Sequence, residues 1–225
     1  TLAYYRAARR LGVEYITGEN VISLEKYKGR ARRVITENGN VYEAEHIVLA
    51  AGFNSRRIAK TVGIWIPFLK RVDECIITEV QPKMFRTRIS CANGDFYGHQ
   101  TNHGSFIFGG NTNLERYEEC YDDKPMCTNK NAIDKARIVG QFVPALKNVK
   151  IVRQWAGWLD SMVDKLPIIQ EMEEVPGLVL ACGFSGHGFA IGPAAGKVVS
   201  EIVLGQSTSI DVSALRYDRF KPTGC

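Results

Sequence analysis

The sequence predicts a mixed α/β fold in which a parallel sheet and a mostly antiparallel sheet are interleaved along one chain. Three observations carry this. Two continuous apolar runs, His46 to Ala51 and Gly177 to Cys182, each lead into a glycine. They read as strands buried on both faces, as in a parallel sheet covered by helices. Between them, shorter strand-like runs are separated by Asn-Gly and His-Gly pairs and read as antiparallel. The second apolar run passes through a glycine-rich loop, Gly183-Phe184-Ser185-Gly186-His187-Gly188-Phe189, into a helical stretch from Pro193 to Leu204.

The elements follow in order. Thr1 to Leu11 reads as an amphipathic helix, with Leu2, Tyr5 and Ala8 on one face and Arg6, Arg9 and Arg10 towards water. Gly12 closes it. Strands are expected at Val13 to Ile16, Val21 to Leu24, Arg33 to Thr36 and Val41 to Ala44, the last two joined by the hairpin signal Asn38-Gly39. A short helix, Ser55 to Val62, follows Gly52. Antiparallel strands are expected at Glu74 to Val80, Asp95 to His99 and Ser105 to Phe108, with turns at Asn93-Gly94 and His103-Gly104. From Asn111 to Lys130 the chain is polar and shows no period. Asn131 to Phe142 reads as a helix stopped by Pro144, and Ile151 to Trp158 as a strand.

At 225 residues and 45% hydrophobic, the chain can build a sizeable core. Its 29 basic and 24 acidic residues are intermixed. The cluster Arg30-Ala31-Arg32-Arg33 reads as a solvated strand edge, not a nucleic-acid site. The six cysteines form no C-x-x-C pair, and the spacing of Cys120 and Cys127 suits no standard zinc site. Cys182 reads as a small buried hydrophobe. Reduced thiols in a cytoplasmic protein fit best, with a Cys120–Cys127 disulfide as the minor alternative. No signal peptide is seen, and no apolar run approaches the roughly 18 residues of a membrane span.

A strand, a glycine-rich loop and a helix start together form an anion-binding device, because loop N–H groups and the positive helix end converge. Glycines also let the backbone approach a flat ligand closely. The loop does not match the G-x-G-x-x-G dinucleotide fingerprint. The plainer alternative is a tight turn with unrelated glycines.

The run Gly177-Leu-Val-Leu-Ala-Cys-Gly-Phe-Ser-Gly-His-Gly-Phe-Ala-Ile-Gly-Pro-Ala-Ala-Gly196 closely resembles the C-terminal flavin motif of the D-amino-acid-oxidase-like superfamily. The likeness is best to sarcosine oxidases, glycine oxidases and the flavin subunits of proline and hydroxyproline dehydrogenases. Three further stretches agree in order. Gln154 to Ile169 resembles the family's W-A-G…D…P-I-I segment, Ala44 to Gly52 its second nucleotide-domain strand, and Tyr217-Asp-Arg-Phe220 its usual end.

The resemblance implies an FAD-binding sheet completed by the C-terminal strand and helix. Residues 1–62 and 153–225 would be the remainder of the FAD-binding domain, and 63–152 an inserted substrate domain. The family's opening strand, G-x-G-x-x-G turn and helix, which hold the ADP half, have no counterpart here. A C-terminal part alone is therefore expected, holding FAD poorly and inactive by itself. The implied reaction is oxidation of the C–N bond of a secondary amine or amino acid to an imine, with hydride passing to FAD.

Implied cofactor contacts are Val21 (adenine, through its backbone), Ala50, Ala51, Gly52, Trp155, Gly183, Phe184, Ser185, Gly186, His187, Gly188 and Phe189. His187, His99 and Tyr97 are the implied catalytic residues, and Trp158 and Ile107 line the implied substrate pocket; no metal is expected. Core packing for the tryptophans and backbone bonding for His187 are the plainer roles.

Three positions depart from the family. Leu159 stands where glycine oxidases place an arginine on the substrate carboxylate. Gly157 stands where monomeric sarcosine oxidases carry the cysteine bonded to flavin, so non-covalent FAD is expected. Ile107 replaces a lysine thought to help oxygen react, which favours a dehydrogenase with partner subunits over an oxidase. The rival readings are a 2-hydroxy-acid oxidoreductase on the same fold and a non-enzymatic binding or assembly module.

Overall fold

The computed structural model describes residues 1–91, 96–116 and 124–221, with residues 70 and 111–116 described through their backbone alone. The expected turn at Asn93-Gly94 and the thiol of Cys120 fall outside the described residues. Among the described residues, four α-helices are set between runs of strands, eleven in all.

Helix α1 (Leu2–Arg10) ends as a Schellman motif: Gly12 N–H donates to the Arg9 carbonyl and Val13 N–H to that of Ala8. This corrects the expectation of a strand at Val13 to Ile16. Val13 is spent on capping the helix, and residues 13–17 adopt no regular structure. The apolar face of α1 is not buried within this chain, and Leu2 is exposed.

Strands β1 (Val21–Tyr27), β2 (Arg30–Thr36) and β3 (Val41–Glu43) form an antiparallel sheet with the β2–β3 turn at Asn38-Gly39, as expected. The basic cluster lies inside β2, not before it. Ala31 is buried, while Arg33 pairs with Glu43 at 2.6 Å.

Strand β4 (Ile47–Leu49) pairs in parallel with β11 (Leu178–Cys182), which pairs antiparallel with β10 (Ile168–Glu171). Every residue of β11 is buried. β4 is not covered on both faces as expected, because Val48 is 42% exposed. Helix α2 (Ser55–Lys60) packs on β1, where Arg57 donates to the carbonyls of Val21 and Ile22.

The third sheet has the order β6-β7-β8-β5-β9 and is antiparallel throughout. Its strands are β5 (Phe68–Val80), β6 (Ile89–Cys91), β7 (Phe96–Gln100), β8 (Ser105–Arg116) and β9 (Ile151–Met162). β8 continues into a stretch whose polarity suggested no element, held there by its backbone ladder to β5. Helix α3 (Asn129–Phe142) packs on this sheet. Its N-cap Thr128 accepts from the Asn131 N–H at 3.2 Å.

Two cores result. One gathers Leu24, Leu49, Ile58, Leu178 and Leu180 with Phe68 and Met162; the other gathers Ile76, Phe96, Phe106, Phe108 and Val139. β5 feeds both, through Phe68 at one end and Ile76 further along. β9 runs alongside it as one strand through position 152/153, where the register shifts and Val152 is left without a cross-strand partner.

Helix α4 (Gly188–Val203) begins five residues before Pro193, which lies inside the helix and not in its first turn as expected. Proline leaves the Phe189 carbonyl without an intrahelical partner. Phe189 is 87% exposed, so that carbonyl is near solvent. Cys75, Cys91, Cys127 and Cys182 are free thiols, and burial pushes Cys182 up to about 12. No helix among the described residues is long and apolar enough to cross a membrane.

Candidate active site

Cross-strand partners in an antiparallel sheet present their side chains on the same face. The register therefore assembles one surface of the third sheet. Trp155, Cys75, Gly109 and Tyr97 form one row, Gly157 and Asp73 the next, and Leu159 and Arg71 the one after. On the other side of the Trp155 row stand Arg153, Ile77, Ile107 and His99. The lack of a side chain at Gly109 makes room: a Cβ there would lie 3.0 Å from both Cys75 Sγ and the Tyr97 ring. Tyr97, His99 and Ile107 share a concavity of about 380 Å³, also lined by Arg88, Ser90 and Gly109.

The glycine-rich loop curls around the end of β9. Gly183, at φ +77°, presses on Met162 and Phe68, where a Cβ would lie 2.4 Å from Met162 Cγ. Its N–H donates to Asp160 Oδ2 at 2.9 Å. Ser185 faces inward: its hydroxyl donates to the Gly183 carbonyl and accepts from Met162 N–H. Gly186, at φ +92°, lies over Leu159, so the loop meets the same sheet face that carries Trp155 and Tyr97. Gly186 and His187 are exposed. No side chain caps α4, whose start is the positive end of its dipole. Phe184 packs behind Gly188.

Val21, Ala50 and Ala51 line a second, apolar concavity of about 250 Å³ with Val34, Val48 and Ile58. Gly52 opens the 3-10 turn Gly52–Asn54 beyond it. Trp158 does not join the residues expected to line the substrate pocket. It points to the opposite face of β9 and stacks on Phe53, with ring centroids 5.9 Å apart; Phe53 in turn stacks on Phe68. Alternation along a strand requires this once Trp155 and Leu159 face the loop.

Sequence reasoning missed Arg71, Asp73, Cys75 and the bond from the loop to Asp160. Val72 between two polar residues was the available signal, since β5 alternates buried and half-buried from Arg71 onward.

Burial raises the Asp160 carboxyl, against the backbone N–H groups of Gly183 and Phe184, which lower it. A raised folded-state value means that the stability it contributes is complete below the unfolded value and is lost as pH rises through the folded one. Asp160→Asn keeps an acceptor but no charge, and is expected to flatten that fall. Asp160→Leu leaves loop donors unpaired and is expected to cost about 1–3 kcal/mol. Thermal melts of both variants from acid to neutral pH check this; an unchanged pH slope in Asp160→Asn would refute it.

A glycine loop at an uncapped helix start thus meets one face of an antiparallel sheet. The family model "DAO: FAD dependent oxidoreductase" matches residues 1–202, and the chain belongs to that family. It is 27% identical to sarcosine oxidase subunit beta of Rhizobium meliloti over 97% of this chain and 51% of that one. To glycine oxidase of Bacillus subtilis it is 26% identical, covering 96% and 56%. The crystal structure of L-proline dehydrogenase from P. horikoshii superposes with TM-score 0.87 at 27% identity, over 97% of this chain and 58% of that one. The chain thus spans about half the length of the relatives it matches. FAD is the family's cofactor. The exposed loop, the uncapped α4 and the apolar hollow at Val21, Ala50 and Ala51 fit it.

Proposed function

We propose that the full-length protein oxidises the C–N bond of a secondary amine or amino acid to an imine. The observation that supports this most directly is the meeting of the α4 loop with the sheet face of Trp155, Tyr97 and Ile107. FAD, when bound, supplies the two-electron acceptor. Gly186, Gly188 and the α4 N–H groups would hold it non-covalently, with Phe184, Phe189 and Trp155 beside it; Gly183, expected among them, is buried with its N–H on Asp160 and shapes the loop instead. The helix end favours negative charge there. Val21, Ala50, Ala51 and Gly52 would hold its adenine side.

Tyr97 and His99 orient the amine, and His99 or His187 takes the proton that leaves nitrogen as the C–N double bond forms. Residues 63–152 supply most of this substrate surface, and the remainder carries the cofactor. Sarcosine oxidase subunit beta is by its name one subunit of several, which supports a partner for this protein too.

Anaerobic mixing with N-methyl amino acids, cyclic imino acids, amines and 2-hydroxy acids tests the reaction. Bleaching of the flavin by the nitrogen compounds alone supports it, and bleaching by hydroxy acids alone replaces it.

The apolar Ile107 offers no charge to stabilise the anion formed as oxygen is reduced. The enzyme is therefore expected to reduce a dye or partner faster than it makes peroxide, and Ile107→Lys to raise peroxide formation. Wild-type peroxide production as fast as dye reduction would rule this out.

A further inference from the structure

We infer that Gly109 is a positioning residue: the room it leaves lays the Tyr97 phenol across the sheet, so that its hydroxyl stands between the concavity and Trp155. This rests on the reading of that face as the place where the amine is oxidised. Gly109 lies in β8 between Tyr97 on β7 and Cys75 on β5, and all three present the same face. A glycine inside a strand weakens it, and often marks a place where something comes close. No special backbone calls for one here, since Gly109 has no positive φ. What comes close is the far end of a side chain. An added Cβ would stand 3.0 Å from Tyr97 Cζ, 3.0 Å from Tyr97 Oη and 3.0 Å from Cys75 Sγ.

Tyr97 starts from β7, yet its Cζ and Oη lie over β8. The ring is therefore laid over the neighbouring strand instead of standing off the sheet. It extends from β7 in the direction of β5, and its hydroxyl lies no further from Cys75 Sγ than twice the contact distance at Gly109. The next residue in that row is Trp155 on β9. The ring stays half exposed and walls the concavity it shares with His99 and Ile107. Tyr97 thus gains a reach along the row that a larger neighbour on β8 would deny it. Gly98 shows the contrast. An added Cβ there would stand 2.3 Å from the Ile107 carbonyl oxygen and 2.3 Å from Phe108 Cδ1, so that room is taken by backbone and by the buried core. Around Gly109 the close atoms are the ends of two side chains, which can give way. Alanine at 109 would therefore keep the fold and move the phenol.

The placement is read without any ligand, in the full-length, FAD-loaded protein grown with fluorotyrosine. The Tyr97 fluorine resonance is identified by its loss in Tyr97→Phe. Gly109→Ala is expected to shift that resonance while the protein melts close to wild type. Unlabelled protein is then mixed anaerobically with N-methylglycine and with L-proline. With the compound that bleaches the flavin, Gly109→Ala and Tyr97→Phe are each expected to slow the limiting rate about tenfold or more. In the Tyr97→Phe background, Gly109→Ala is expected to change that rate by less than about twofold, because the hydroxyl it would misplace is gone.

An unshifted resonance in Gly109→Ala overturns the inference, and so does an unchanged rate. A Gly109→Ala protein that unfolds or loses its flavin overturns it too, since the room would then serve the sheet. So does a full effect of Gly109→Ala in the Tyr97→Phe background, which would act through something other than the hydroxyl. If the resonance shifts while no nitrogen compound bleaches the flavin, the placement of Tyr97 by Gly109 stands and the proposed reaction falls.

Discussion

Gly186→Val is expected to abolish flavin retention by the full-length protein. The glycine sits at φ +92°, where a β-branched residue is strongly disfavoured, at about 1–2 kcal/mol for an ordinary side chain and more for valine. A Cβ there would stand 3.7 and 3.9 Å from the two Leu159 methyl carbons, so alanine would fit and the further methyls of valine would crowd Leu159. The loop must then shift off β9, and the surface offered to the cofactor shifts with it. Gly192→Ala is the matched control. It lies in α4, into which the loop leads, has no positive φ, and has nothing within 4 Å of an added Cβ. The ratio of flavin absorbance to protein after dialysis decides between them. Flavin retained at one per chain by Gly186→Val would show that the loop is not the cofactor's seat.

Glu74→Ala is expected to destabilise the protein by about 1–3 kcal/mol without touching the candidate site. Glu74 is 1% exposed, on the face of β5 away from Tyr97. Its carboxylate accepts from the Thr128 N–H at 3.0 Å and from its hydroxyl at 3.2 Å. Thr128 is in turn the N-cap of α3. One side chain thus ties a strand to the start of a helix, where a negative charge is also favoured by the helix dipole. Removal leaves a buried donor unpaired, opens a cavity and frees the cap. Thr128→Ala is expected to cost less, and the double variant less than the sum, because the two share their bonds. Denaturant unfolding measures all three. Additive losses would mean that the carboxylate acts elsewhere.

What was legible in the sequence follows from where chemistry is local. β11 and its loop were visible because a buried strand needs an unbroken apolar run, and the loop needs its glycines close together. The ends of β5 and β9 were not. Arg71 and Asp73 at one, and Asp160 and Ser161 at the other, fell outside the strands expected at Glu74 to Val80 and Ile151 to Trp158. They are polar where the strands border the glycine-rich loop. The likeness to known flavoenzymes located the loop, yet it could not show which neighbour stands beside Leu159. That neighbour is set by the pairing of β5 with β9, which no single stretch encodes. The face on which Trp158 stands was hidden for the same reason, since it depends on the register of the whole strand.

The parallel pairing of β4 with β11 also governs how the chain comes together. Val48 and Val179 lie side by side although most of the sequence runs between them. A contact of such long separation carries a large loop-closure entropy, so it forms late unless the intervening sheet has already drawn its ends together. Phe68 and Met162, cross-strand partners packed in the same core as Leu49 and Leu180, are placed to do that. During synthesis, β4 must wait for β11 to emerge with its backbone unpaired on that side, and the antiparallel sheet is what shortens the gap it has to close.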